Sequence, residues 1–299
     1  MRCHSNPQRN PTTPPPAEVL VPPRPHKRTR PRSALKRALF VLASVLTAFT
    51  TVLATNASAA GGANYVALGD SYSSGVGAGS YISASGNCLR STNAYSQLWA
   101  NSHSPASYVS VACSGATTQD VLNNQISALS SSTSLVTITI GGNDVGFSSV
   151  MQTCVLSSDS ACLSAINTAT TQAKSILPGR LATTYGAIRS AAPNARVVVL
   201  DYPEFYDLSH SWYCPGLSGT DRSALNNAAD LLDSIIQTAA GNAGFSFADV
   251  KSRFHGHELC DFFSEWLHSV NISDVTESYH PTADGHSGAY LPALTSITG

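Results

Sequence analysis

The chain has 299 residues, of which 12% are charged, and its formal net charge is −1. Residues 1–59 hold nine of the 17 Lys and Arg but one of the 18 Asp and Glu, so the remainder carries eight basic and 17 acidic residues. An acidic remainder argues against nucleic acid as a partner. Its length, about 240 residues, is enough for one α/β domain with a large core.

The first 60 residues have the pattern of a secretory signal preceded by a Pro-rich and basic extension. A basic region at 28–37 leads into an apolar stretch at 38–53, and Ala57-Ser58-Ala59 supplies the small residues that a signal peptidase reads. We expect cleavage after Ala59 or Ala60, export from the cell, and a folded domain at 61–299. The alternative is an uncleaved membrane anchor, since the apolar stretch approaches spanning length. We favour cleavage because no basic flank follows the stretch.

Cysteine usage supports export. Besides Cys3, the chain has six cysteines, and an even number in an exported domain predicts three disulfides. Six cysteines allow 15 pairings. Pairing of sequence neighbours is the simplest and closes the shortest loops, which gives Cys88–Cys113, Cys154–Cys162 and Cys214–Cys260.

Apolar runs and helical patterns alternate along the chain. The runs at 65–68, 108–111, 135–140, 196–200 and 245–250 predict strands. Helices are predicted at 94–100, 120–129, 161–190 with an interruption or kink at Pro178, 223–240 and 283–294. This alternation predicts a three-layer α/β/α sandwich around a central parallel sheet.

Small polar residues follow three of these strands. Ser71 lies in Gly-Asp-Ser-Tyr-Ser at 69–73, Gly115 follows the second strand, and Asn143 lies in Gly-Gly-Asn-Asp at 141–144. Ligands of parallel sheets bind at the carboxyl ends of the strands, so these turns are expected to converge. A serine between a strand and a small-residue loop is well placed to be a nucleophile, although Ser and Asp are also common as turn and cap residues.

A serine nucleophile needs a base, and histidine is the usual one. His280 is the best placed of the histidines, because it lies in a loop before the last predicted helix and the following Pro281 restricts its backbone. The alternative for His280 is an ordinary surface histidine.

The four blocks, in this order and spacing, resemble the SGNH (GDSL-type) hydrolases across residues 64–299. The cysteine pairs and the segment 254–260 are more specifically similar to secreted actinomycete lipases and esterases. The resemblance implies an SGNH/flavodoxin-like fold, Ser71 as nucleophile and His280 as its base. It also implies an oxyanion hole made by the backbone N–H groups of Ser71 and Gly115 and the side-chain amide of Asn143.

One position departs from the family pattern. The family usually has Asp three residues before the catalytic histidine, and Glu277 stands there in this chain. Glu277 is therefore the candidate third catalytic residue. A backbone carbonyl of the same loop is the alternative, and we favour it, as the similarity to the actinomycete group implies.

The function implied is a secreted serine ester hydrolase, a lipase or esterase that cleaves lipid or small-alcohol esters. The alternatives are a phospholipase A1 and, from another class, a non-catalytic secreted binding module. We expect a monomer, no cofactor, no metal and at most transient contact with a lipid interface. A metal at His255, His257, Glu258 and Cys260 is disfavoured because Cys260 is expected in a disulfide.

Overall fold

A five-stranded parallel sheet forms the centre of the domain. The computed structural model describes residues 62–210, 214–261, 264–271 and 273–299, and the candidate signal region at 1–60 lies outside the described residues. Within the described ranges all strand pairs are parallel, in the order β2-β1-β3-β4-β5. The strands are β1 Asn64–Gly69, β2 Ser107–Ser110, β3 Leu135–Thr139, β4 Arg196–Leu200 and β5 Ser246–Ala248. The parallel sheet predicted from the apolar runs is confirmed.

The three central strands are buried on both faces. All five residues of β3 are buried, including Thr137, whose hydroxyl bonds the Tyr65 hydroxyl at 2.8 Å. A continuous β-branched run suits a strand that is covered on both sides, because no face is left for charged side chains. The strand order reverses between the neighbouring strands β1 and β3: β2 follows β1 on one side, and β4 and β5 follow β3 on the other. The carboxyl ends of β1 and β3 mark the switch point where sheets of this order bind ligands.

Helices cover both faces and complete the predicted three-layer sandwich. On one face the helices α4, α5 and α6 pack together, and on the other α2 packs against α9. Within the described part of the chain, no helix is both long and apolar enough to span a membrane. The helices are α1 Ser71–Ser74, α2 Tyr95–His103, α3 Thr118–Asp120, α4 Phe147–Leu156, α5 Asp159–Ala191, α6 Gly219–Asn242, α7 Lys251–Phe254, α8 Ala283–Gly285 and α9 Leu291–Thr298.

Two predicted helices are irregular. At 120–129, α3 gives way to a π-helical turn, Val121–Gln125, and a 3-10 turn, Ile126–Ala128; at 283–294, a π-helical turn, His286–Tyr290, separates α8 from α9. The first π turn brings the buried Gln125 amide onto both peptide groups of Gly69, at 2.7 and 2.8 Å. The π turn thus includes a residue with a long-range side-chain bond, which an apolar pattern cannot encode.

The long helix is continuous, and the helix before it was not predicted. Helix α5 continues through Pro178, so of the two predicted alternatives the interruption is wrong and the kink stays a prediction. Helix α4 has no counterpart among the predicted elements. It begins at Phe147, directly after the 3-10 turn Asn143–Val145 that follows β3.

The cysteines form the three predicted disulfides. Cys88–Cys113, Cys154–Cys162 and Cys214–Cys260 close loops with sequence separations of 25, 8 and 46 residues. The first disulfide fixes the segment that follows β2, where the Ser114 N–H also donates to the Cys88 carbonyl at 3.1 Å. This segment carries Gly115.

Candidate active site

The turn after β1 holds Ser71 in one place. Gly69 has φ +122°, and a Cβ there would lie 2.4 Å from the Thr139 carbonyl oxygen, so only glycine fits against β3. The Asp70 carboxylate caps the short helix α1 by accepting from the Tyr72 N–H at 3.0 Å. Ser71 is the first residue of that helix and is 7% exposed. Its side chain therefore starts from a fixed backbone at the carboxyl end of β1.

Asp70 is buried and held by hydroxyl groups. Its carboxylate accepts hydrogen bonds from the Thr139 hydroxyl at 2.7 Å and from the Tyr202 hydroxyl. Burial raises the pKa of Asp70 to about 6, and the hydrogen bonds from Tyr202 and Thr139 act in the opposite direction. Asp70 ties β1, β3 and the segment after β4 together beneath Ser71.

His280 lies against Ser71. The Nε2 atom of His280 is 2.7 Å from Ser71 Oγ, although the two residues are 209 positions apart. The Tyr72 hydroxyl donates to the Tyr279 carbonyl at 2.6 Å, and the Tyr72 ring packs on the His280 ring with centroids 5.1 Å apart. The residue after the candidate nucleophile thus contacts the segment that carries the candidate base.

The other ring nitrogen of His280 faces a carbonyl. His280 Nδ1 is 3.2 Å from the Ser278 carbonyl oxygen, which can only accept a hydrogen bond. This contact places the proton on Nδ1 and leaves the Nε2 lone pair for the Ser71 hydroxyl. The Glu277 carboxylate lies elsewhere: its Oε1 accepts from the Tyr81 hydroxyl at 2.6 Å.

The surroundings of His280 favour its neutral form. Burial lowers the pKa of His280 to about 4; nearby His268 also lowers it, whereas the hydrogen bond to the Ser278 carbonyl raises it. A neutral imidazole at ordinary pH can accept a proton. The ring is half-buried, so it stays within reach of a substrate at the surface.

Three hydrogen-bond donors lie at the ends of β1, β2 and β3. Within the described ranges, neither the Ser71 N–H nor the Gly115 N–H donates a hydrogen bond to the protein. The Asn143 side-chain amide donates one hydrogen to the Ala116 carbonyl at 3.0 Å and has a second hydrogen. Donors of this kind can stabilise an oxyanion that forms beside Ser71.

Asn143 is fixed by its neighbour, which sequence reasoning did not single out. The Asp144 side chain is fully buried and accepts from the Thr118 N–H at 2.9 Å, the Thr118 hydroxyl at 2.6 Å and Arg180 at 3.0 Å. These contacts join the turn after β3 to α3 and α5. The Gly-Gly-Asn-Asp pattern contained Asp144, but nothing in the sequence indicated its distant partners.

An apolar pocket adjoins Ser71 and Asn143. Helices α4, α5 and α6 supply most of its wall, and Phe147 stacks on Phe205 with centroids 5.2 Å apart. Aliphatic and aromatic side chains dominate, so the pocket suits an acyl chain. Its lining includes Val145, Phe147, Val150, Ile166, Ala169, Ala173, Tyr202, Phe205, Leu225, Ala228, Ala229 and Leu232.

The histidines at 255 and 257 have other contacts. His257 stacks on Trp266 with centroids 3.4 Å apart, and the Glu258 carboxylate accepts from the Gly256 N–H at 2.7 Å. Cys260 is in a disulfide. In the part of the chain that the structure describes, no group of three or more His, Cys, Asp or Glu side chains could hold a metal ion.

The fold and this arrangement are those of an α/β/α hydrolase with a candidate Ser71–His280 pair. The model of the GDSL-like lipase/acylhydrolase family matches residues 67–287, and the chain belongs to this family. It is therefore a carboxylic ester hydrolase, as the four sequence blocks predicted.

Three Streptomyces proteins are similar to most of this chain. Lipase 1 of Streptomyces coelicolor is 54% identical over 260 residues, which are 87% of this chain and 95% of that protein. The crystal structure of phospholipase A1 from Streptomyces albidoflavus is 56% identical with a TM-score of 0.75, covering 78% of this chain and 98% of that one. The crystal structure of an extracellular lipase from Streptomyces rimosus is 53% identical with a TM-score of 0.76, covering 78% and 99%.

Proposed function

We propose that this ester hydrolase is a secreted lipase that cleaves carboxylic esters of lipids through an acyl-enzyme on Ser71. The observation that carries the proposal is the 2.7 Å contact between Ser71 Oγ and His280 Nε2 beside the apolar pocket. A nucleophile–base pair beside a pocket with an apolar lining suits an ester with a hydrocarbon chain.

Acylation follows from the geometry. Ser71 Oγ attacks the ester carbonyl carbon while His280 Nε2 takes the hydroxyl proton. The oxyanion then receives hydrogen bonds from the N–H groups of Ser71 and Gly115 and from the Asn143 amide, which donates without carrying a charge. The imidazolium passes its proton to the leaving alcohol, and the acyl group stays on Ser71.

Deacylation repeats the same proton transfers with water. His280 Nε2 takes a proton from a water molecule, whose oxygen attacks the acyl carbonyl, and the imidazolium returns the proton to Ser71 Oγ as the acid leaves. The fixed Nδ1 proton keeps Nε2 available as the base in both steps.

The Ser278 carbonyl takes the place of a third catalytic carboxylate in this proposal. A neutral acceptor fixes the tautomer but stabilises the imidazolium less than a carboxylate would. Nδ1 is 3.2 Å from that carbonyl, and the Glu277 carboxylate is engaged by Tyr81, so Glu277 is not assigned to the imidazole.

Phospholipase A1 activity is the second candidate. A phospholipase A1 is among the most similar solved structures, at 56% identity. The apolar pocket takes an acyl chain and does not select the alcohol part of the substrate, so it serves a glycerophospholipid as well as a neutral lipid.

The remaining expectations belong to the same proposal. Residues 1–60 act as an extension and a signal peptide, and the domain at 61–299 works outside the cell as a monomer without a cofactor. Its acidic charge keeps it from nucleic acid. Mass spectrometry of the exported protein and its mass in solution test these points; a start at any residue other than 60 or 61, or a stable dimer, would contradict them.

Active-site labelling combined with a substrate panel tests the proposed function. A fluorophosphonate is expected to label the wild type at Ser71 and to leave Ser71→Ala unlabelled, with Ser96→Ala as the matched serine control. Rates on p-nitrophenyl esters of increasing chain length and on phosphatidylcholine then rank lipase against phospholipase. No label on the wild type, or equal label on Ser71→Ala, refutes Ser71 as nucleophile.

A further inference from the structure

Tyr81 joins the loop after the nucleophile helix to the loop before His280. Its hydroxyl donates to Glu277 Oε1 at 2.6 Å and accepts from the Gly77 N–H at 2.9 Å. Glu277 ends the 3-10 turn Val275–Glu277, three residues before His280. Glu277 also accepts, through its backbone carbonyl, the His280 N–H at 3.0 Å. One residue thus contacts Tyr81 with its side chain and His280 with its backbone.

A second link joins the same loops from the other side of Gly77. The ring of His268 contacts the Gly77 carbonyl through Nε2 at 2.7 Å. The His268 backbone pairs with the loop that carries the base: its N–H donates to the His280 carbonyl at 2.9 Å, and its carbonyl accepts from the Tyr279 N–H at 2.8 Å. Both peptide groups of Gly77 are therefore bonded to residues that hold His280.

Gly77 lies directly against the base. It has φ +88°, and a Cβ there would lie 2.6 Å from the Pro281 carbonyl oxygen and 3.0 Å from His280 Cβ. The backbone of the loop after α1 thus packs against the backbone of the His280 loop. A small shift of either loop changes the distance from Nε2 to Ser71, and such shifts are costly for catalysis.

We propose that the Tyr81–Glu277 hydrogen bond is a clasp that positions His280 against Ser71, so that Glu277 acts as a positioning residue through Tyr81 and the loop backbone. The clasp rests on the proposed function, because it presupposes that His280 serves Ser71. It needs a donor hydroxyl on Tyr81 and an acceptor oxygen at 277, but it does not need a negative charge. The pKa of Tyr81 is raised to about 12, first by burial and next by the bond to Glu277, which keeps the hydroxyl protonated and able to donate.

The need for an acceptor without a charge separates this role from that of a catalytic carboxylate. Glu277→Gln keeps an oxygen that can accept from Tyr81, whereas Glu277→Ala does not. In a Ser-His-carboxylate triad, replacing the carboxylate by its amide costs about 10⁴-fold in turnover. The clasp instead predicts that Glu277→Gln retains turnover within about twofold of the wild type, while Glu277→Ala and Tyr81→Phe each lose about three- to tenfold, the usual worth of one hydrogen bond.

The experiment measures kcat and KM on a soluble p-nitrophenyl ester, the rate of fluorophosphonate labelling of Ser71, and Tm. The variants are Tyr81→Phe, Glu277→Ala, Glu277→Gln and the double variant Tyr81→Phe/Glu277→Ala. Tyr108→Phe is the matched control, since Tyr108 lies on the outer strand β2 and its hydroxyl bonds the Ser96 hydroxyl on α2. The fall is expected in kcat and in the labelling rate, with KM unchanged. The double variant should lose no more activity than the less active of the two single variants.

Several outcomes would overturn the clasp. Losses that multiply in the double variant would show that the two residues act independently. Turnover that falls equally in Glu277→Gln and Glu277→Ala would assign the charge a direct role, and a lower Tm with unchanged kcat and labelling would leave only a structural role. Unchanged kcat and labelling in Tyr81→Phe would refute the clasp alone. A wild type that carries no label at Ser71 would refute the proposed function itself.

Discussion

The two halves of the candidate site are held in different ways. Ser71 follows a strand directly and begins a helix, and its turn is fixed by Gly69, by the Asp70 cap and by hydroxyls that reach Asp70 from β3 and from the segment after β4. His280 lies in a loop whose regular structure is one 3-10 turn, Val275–Glu277. Its position depends on contacts with distant residues.

The difference is visible in the backbone. The turn at Ser71 uses glycine where a positive φ is needed, whereas Tyr279, the residue before His280, has φ +64° with a full side chain. The Tyr279 carbonyl and hydroxyl are bonded by Tyr72 and Tyr206 at 2.6 and 2.8 Å. Tertiary contacts therefore hold a conformation that the local sequence does not favour. We infer that variants on the two sides fail in different ways.

The largest effect on kcat is expected when either member of the Ser71–His280 pair is removed. Ser71→Ala and His280→Ala should each lower kcat on the order of 10⁴- to 10⁶-fold, and the double variant should lose little more, because the two groups act as a unit. Burst and steady-state rates with a p-nitrophenyl ester measure this. A double variant far below both single variants would separate the halves and contradict the pair.

Asn143→Ala tests the side of the site that the strands define. Loss of one oxyanion donor should lower kcat about 10²- to 10³-fold while Tm stays close to the wild type. Asn124→Ala, at an exposed position in the π turn, is the matched control. A change confined to KM would assign Asn143 to ground-state binding.

The pH profile tests the side that carries His280. Since burial lowers its pKa to about 4, the base stays neutral well below pH 6.5, and kcat/KM should fall only as pH drops toward about 4. With an ordinary histidine the loss at pH 5 would be about thirtyfold. Circular dichroism at each pH checks that the protein is folded; an acid limb near pH 6.5 in folded protein would contradict the lowered pKa.

The smallest effects are expected on the free energy of unfolding, when one tyrosine hydroxyl is removed on each side of the site. Tyr202→Phe removes a donor to the buried Asp70 carboxylate and should lower the free energy of unfolding by about 1–3 kcal/mol. The loss of the donor raises the pKa of Asp70 further, so the destabilisation should be greater at pH 8, where the carboxylate is ionised, than at pH 5.

Tyr206→Phe is the counterpart on the histidine side, because its hydroxyl bonds the neutral Tyr279 hydroxyl. Its loss should be smaller and nearly independent of pH between 5 and 8. Urea unfolding at both pH values measures the two variants. Equal losses with equal pH dependence would show that the charge on Asp70 does not distinguish the two sides.

The elements with local signals could be predicted from the sequence. The five apolar runs predicted the strands, and the residues after three of them predicted the turns that carry Ser71, Gly115 and Asn143. The cysteine spacing predicted the disulfides. These features depend on periodicity, on small residues at strand ends and on short loops, all of which can be read within a few positions.

Other features could not be predicted in this way. Gln125, in the π turn Val121–Gln125, bonds Gly69, 56 positions away, and Asp70 accepts a bond from Tyr202, 132 positions away. The apolar pocket is built largely by the helices α4, α5 and α6, and α4 has no counterpart among the predicted elements. Glu277 could be recognised as a departure from the family pattern, but its partner Tyr81 could not.

The parallel α/β domain, the family and the order of Ser71, Gly115, Asn143 and His280 follow from local patterns along the chain. The contacts of each side chain come from the folded domain: Ser278 rather than Glu277 lies at the His280 ring, and Tyr81 bonds Glu277. A hydrogen bond requires two groups far apart in the chain to meet at the right distance within a few tenths of an ångström, and no local propensity sets such a distance.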